Sequence, residues 1–139
     1  MKFFVTSLCV LALLASACGK DPEKQDDEEE TFPAIDVFGA PCPTDNVVSW
    51  ENFAQSWITR QCVPCHSSQL LEGQRADAPL GVDFDTYEGV RFWATNMFLR
   101  AAYDHETMPP AGGPYPEDRI LFGDWMACQA PRESDMDQE

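Results

Sequence analysis

Apolar side chains recur at helical spacing in three stretches of this chain. Trp50, Phe53, Ala54, Trp57 and Ile58 keep that rhythm and predict a helix from about Trp50 to Arg60 behind Ser49 as N-cap. Asp85-Thr86-Tyr87-Glu88 reads as a helix start, and Tyr87, Val90, Ala94, Met97, Phe98 and Ala101 continue it with the same spacing. Pro116-Glu117-Asp118-Arg119 suits a first turn, and Ile120, Leu121, Trp125 and Cys128 are expected along one side of a third helix. The intervening segments break regular structure. Ser67 to Gly81 holds Gly73, Pro79 and Gly81, and Pro109-Pro110-Ala111-Gly112-Gly113-Pro114 excludes both a helix and a central strand. No alternating β-branched run of useful length occurs, so the expected fold is mostly α, with three or more helices and long loops.

The ends read differently. Lys2 precedes an apolar run from Phe3 to Leu14, followed by Ala15-Ser16-Ala17-Cys18. Residues 1–17 therefore read as a signal peptide, too short to span a bilayer as a mature helix. Small residues directly before a cysteine resemble a bacterial lipobox, which makes Cys18 a lipidation site; ordinary cleavage near Ala17, with Cys18 left as a thiol or a disulfide partner, is the alternative. From Gly19 to Glu30 no apolar side chain can join a core, and residues 18–41 are expected to be a lipidated N-terminus and acidic flexible tether. One small folded domain is expected over 42–131, followed by an acidic tail at 132–139. The formal charge of −15 is carried largely by these two ends. It argues against nucleic acid as a partner and allows steering toward a basic protein surface.

The chemistry concentrates in Cys62-Val63-Pro64-Cys65-His66. C-x-x-C-H is the attachment sequence of a c-type haem: two thiols three positions apart each add to one vinyl group, and the adjacent His66 becomes the proximal axial ligand. Two other readings compete. A thioredoxin-like dithiol would follow a buried strand, whereas a helical pattern precedes Cys62. A zinc site could draw on Cys62, Cys65, His66 and His105 but lacks a second close-spaced ligand pair. With Cys9 in the leader, Cys18 lipidated, and Cys62 and Cys65 holding haem, Cys42 and Cys128 are left to form a disulfide closing the domain; two buried free thiols are the alternative. The many aromatic residues, Phe92 and Trp93 among them, are expected to fill a core around a flat ring.

The order helix, C-x-x-C-H, loop, helix, Met-Pro-Pro loop, helix resembles the single-haem class I cytochrome c family. The likeness spans residues 42–131. Cys62-Val63-Pro64-Cys65-His66-Ser67, Asp85-Thr86-Tyr87-Glu88-Gly89-Val90, Met108-Pro109-Pro110 and Leu121 to Pro131 resemble in particular the short cytochrome c domains of myxobacterial lipoproteins. The resemblance implies a small class I cytochrome c fold around one covalent haem c, with Met108 as distal axial ligand to the iron. His105 is the rival, while Met97, on the apolar side of the second helix, reads as core packing. It implies a one-electron carrier and not an enzyme, passing electrons between redox protein partners. The alternative is a haem-based module that binds or senses a small ligand at a labile sixth position. Gly19 after Cys18 resembles the sorting rule that sends a lipoprotein to the outer membrane, which places the protein in the bacterial cell envelope on a lipid anchor.

Overall fold

A computed structural model describes residues 32–137, so the leader at 1–17, Cys18 and the acidic stretch up to Thr31 lie outside the described residues. Among the described residues every regular element is helical. The first helix opens as a π-helical turn, Trp50–Ala54, and continues as α1, Gln55–Gln61. Ser49 caps it as the sequence suggests: its hydroxyl accepts from Asn52 N, and the Asn52 side chain accepts from Ser49 N. A 3₁₀ turn at Glu72–Gln74 interrupts the long loop that follows. Next come α2, Tyr87–Ala101, capped by the Thr86 hydroxyl on Gly89 N, and α3, Pro116–Ala127, with Pro116 in its first turn. A short α4, Glu133–Met136, stands where only a tail is expected. None of these helices is long and apolar enough to cross a membrane.

The core is aromatic. Trp57 of α1 stacks on Phe122 of α3 with centroids 4.4 Å apart, Phe122 meets Trp125, and Trp125 meets Trp50. Residues 130 and 131 tie these rings together: Pro131 O accepts from both Trp50 N and Trp125 Nε1, and Ala130 O accepts from the Tyr87 hydroxyl. The entry of the first helix, the start of α2 and the exit of α3 are thereby fixed at one place.

The face of α3 differs from the pattern expected for it. Ile120 and Leu121 are exposed, and the buried side carries Arg119, Phe122, Gly123, Trp125, Met126 and Ala127. Apolar character misleads here because one charged residue and one glycine occupy core positions. Gly123 is required by close approach: a Cβ there would stand 2.6 Å from Tyr103 Cζ, so the phenol end of that ring rests against the helix backbone. Its hydroxyl donates to Asp124 Oδ1 at 2.9 Å, and burial, followed by the Asp124 carboxylate, pushes the Tyr103 phenol up to about 12. Phe92 also departs from the core expectation, being 73% exposed.

Packing extends upstream of Cys42. Ile35 is buried and exchanges two hydrogen bonds with the Gln129 side chain, Asp36 N donates to Thr95 Oγ1, and Arg91 donates to Pro33 O. Cys42 and Cys128 are joined, with Cα atoms 4.6 Å apart across a sequence separation of 86. Closing so long a span restricts the unfolded chain by about 4 kcal/mol on chain-entropy grounds. Replacing both cysteines by alanine is therefore expected to cost ~2–4 kcal/mol in a denaturant titration without altering the absorption spectrum of the folded protein. An unchanged midpoint would show that the link contributes little.

Candidate functional site

The end of α1 delivers the pentapeptide as a tight turn, in which Cys65 N and His66 N both donate to Cys62 O, at 3.1 and 2.9 Å. Both thiols and the His66 ring face one cavity of about 370 Å³. That volume lies within the range of about 300–1,000 Å³ common for cofactor pockets. Helix α2 supplies a wall from Trp93, Asn96, Met97, Arg100 and Ala101, a spacing of three, one, three and one that traces a single stripe along the helix. Met108, Pro109 and Pro110 close the cavity from the loop before α3.

His66 is oriented from behind. Its Nδ1 lies 2.9 Å from Val82 O, and because a carbonyl only accepts, Nδ1 carries a proton and Nε2 is the nitrogen left to bind a metal. Phe84 stacks on the imidazole at 4.6 Å, and Phe84 N donates to His66 O at 2.8 Å. The loop that carries Val82 and Phe84 is organised by Arg75, which is only 1% exposed. Its guanidinium donates to the carbonyls of Ser67 (2.6 Å), Ala78 (3.2 Å), Pro79 (2.8 Å) and Val82 (2.9 Å), and pairs with Asp83 at 2.7 Å. The carbonyl that fixes His66 is thus itself held by a buried cation. Gly89 completes the arrangement, since a Cβ there would come within 2.6 Å of Asp83 O and push this loop off α2.

On the opposite side Met108 N donates to Arg100 O at 2.9 Å, which ties the Met108 loop to the end of α2. Met97 also lines the cavity, so its side chain does more than fill core. His105 does not line it: its ring stands edge-on to Phe98 at 6.1 Å. The four side chains of the zinc alternative are therefore not brought together, and among the described residues no group of three or more His, Cys, Asp or Glu converges as a metal site.

Electrostatics separate the remaining readings. Burial pushes the Cys62 thiol up to about 12, with the Arg119 guanidinium offsetting part of this and Cys65 adding to it. A nucleophilic dithiol needs a depressed thiol pKa, so Cys62 is poorly suited to exchange chemistry. The donor set suits haem instead. Two thiols, an imidazole with a free Nε2 and a thioether from a separate loop share one largely apolar cavity large enough for a cofactor.

Sequence reasoning singles out Cys62, Cys65, His66 and Met108, and the fold brings these to one cavity. It misses Arg75, Val82 and Phe84, and places Trp93 around a flat ring without assigning it to the α2 wall of the cavity. Arg75 sits in an irregular loop where no periodicity marks a buried side chain. Trp93 belongs to a face of α2 adjacent to the core face, visible only by asking for a second stripe on the same helix. Comparison with known proteins returns no matching family model, no matching curated protein and no matching solved structure.

Proposed function

We propose that the domain is a c-type cytochrome that carries single electrons, with one haem bound through Cys62 and Cys65 and ligated by His66 and Met108. The observation that carries this reading is the convergence of all four side chains on one cavity from two separate segments, the turn after α1 and the loop before α3, with His105 outside it. Haem bound there would supply reversible one-electron chemistry at its iron, and thioether ligation favours the reduced form relative to two imidazoles. The chain's own work is orientation and exclusion of water. Val82 O fixes the imidazole, Pro109 and Pro110 stiffen the segment behind Met108, and Phe84, Val82, Pro79 and Met97 keep the cavity apolar. Asn96 and Arg100, exposed at its edge, are placed to meet carboxylate groups of a bound cofactor.

The surface supports a basic redox partner. Between 32 and 137 every basic residue is an arginine; of these Arg75, Arg91 and Arg119 are buried and Arg132 lies 3.8 Å from Glu88, which leaves Arg60 and Arg100 facing solvent among many carboxylates. The N-terminal pattern, with Cys18 as lipidation site, supports a membrane-anchored carrier in the bacterial envelope.

The test compares reduced and oxidised spectra of protein made with a c-type maturation system. The wild type is expected to be low-spin with a methionine-to-ferric-iron band in the red. Met108→Ala should lose that band and bind carbon monoxide, and Met108→His should stay low-spin at a lower potential. His105→Ala should leave the spectrum unchanged, as should Met97→Leu. High-spin wild-type protein would favour the ligand-binding reading, and loss of the band in His105→Ala alone would reassign the sixth position.

A further inference from the structure

Arg119 occupies a position that local propensity disfavours. It is a cation within the first turns of α3, where the helix dipole favours acids, and it is 3% exposed. Among the described residues no carboxylate lies within ion-pair distance of it. Its partners are backbone carbonyls instead: Nη1 donates to Ala101 O at 3.0 Å, His105 O at 3.1 Å and Met108 O at 2.9 Å. Its own carbonyl accepts from Tyr103 N at 3.1 Å, so both ends of the residue bind the same loop. The loop runs from the end of α2 to Met108 and has Tyr103 at φ +51°, an unfavourable conformation for a tyrosine that needs support from its surroundings.

We infer that Arg119 is the positioning residue for Met108: by gathering the carbonyls of Ala101, His105 and Met108 onto one guanidinium nitrogen, it presents the thioether to the cavity and sets how readily it leaves. The inference rests on the haem reading above and adds to it the element that governs lability of the sixth position. A guanidinium suits the task because it stays charged and weakly hydrated, and charge-assisted bonds to carbonyls survive in a dry interior. An apolar side chain of the same size would leave those carbonyls without their donor.

The test is the rate at which imidazole replaces the native sixth ligand in the ferric protein, since this exchange requires the thioether to leave first. Wild type, Arg119→Lys and Arg119→Met are compared in the full chain, with haem content measured first. Arg119→Met is expected to exchange at least tenfold faster and to have a weakened methionine-to-iron band. Arg119→Lys, which keeps charge but not the planar fork, is expected to be severalfold faster with the band retained. If Arg119→Met does not fold, the Lys variant decides alone. Rates within twofold of wild type in the folded variants overturn the role of Arg119 while leaving the haem reading intact. Wild-type protein without covalent haem overturns both.

Discussion

Replacing Cys62 and Cys65 together by alanine is expected to remove all covalently bound haem from protein made with a c-type maturation system, while each single replacement leaves at most one thioether link. The geometry supplies the reason. The turn after α1 faces both sulfurs into one cavity, and neither has another partner there: both are free thiols, in contrast to Cys42 and Cys128. With His105 outside the cavity, Cys62, Cys65 and His66 meet no fourth zinc ligand among the described residues, so no zinc is expected to take the place of haem. Intact mass under denaturing conditions and the spectrum of the pyridine adduct read the result. Stoichiometric zinc in the wild type, or haem surviving denaturation in the double variant, would sink the cytochrome reading.

The second large effect is on stability. Arg75→Met is expected to cost about 3–5 kcal/mol, at roughly 1 kcal/mol for each loop carbonyl left without its donor plus the ion pair with Asp83, whose carboxylate is 27% exposed. The loss exceeds the pair itself. Arg75 satisfies four carbonyls of the 67–82 loop, and without it Asp83 keeps a carboxylate with no cation to answer it. Val82 O, one of those carbonyls, also anchors His66, so the damage should reach the site. Urea unfolding of wild type and variant gives the energy, and the position of the main haem absorption reports the environment of His66. A change below about 1 kcal/mol would mean that the loop holds itself.

Much of this fold is legible in the sequence because local rules agree there. Ser49, Thr86 and Pro116 mark three helix starts, and each begins where its cap or proline places it. The core side of α2 follows its apolar spacing, apart from Arg91, which reaches Gln129 O and Pro33 O. The sequence is a poorer guide where a polar side chain is buried to bind backbone. Arg75, Arg91 and Arg119 all answer carbonyls of irregular segments, with the last carbonyl of α2 added for Arg119, and a carbonyl leaves no trace in residue type. Arg119 shares its face of α3 with Phe122 and Met126, so a helical count from the core aromatics would have found it. For Arg75 no such count exists. The start of the folded unit was equally hidden, since the apolar residues around Ile35 follow no helical or strand period and its fit depends on Gln129 far along the chain.

The concentration of positive charge in arginines decides how a partner could be trapped. The chain's lysines, at 2, 20 and 24, all precede the domain, so reagents that seek amines will label the N-terminal stretch and pass over the cavity face entirely. A carbodiimide does the opposite. It would activate the exposed carboxylates of the domain and join them to lysines of any basic protein that binds it, and the sites of fusion would then map the footprint directly.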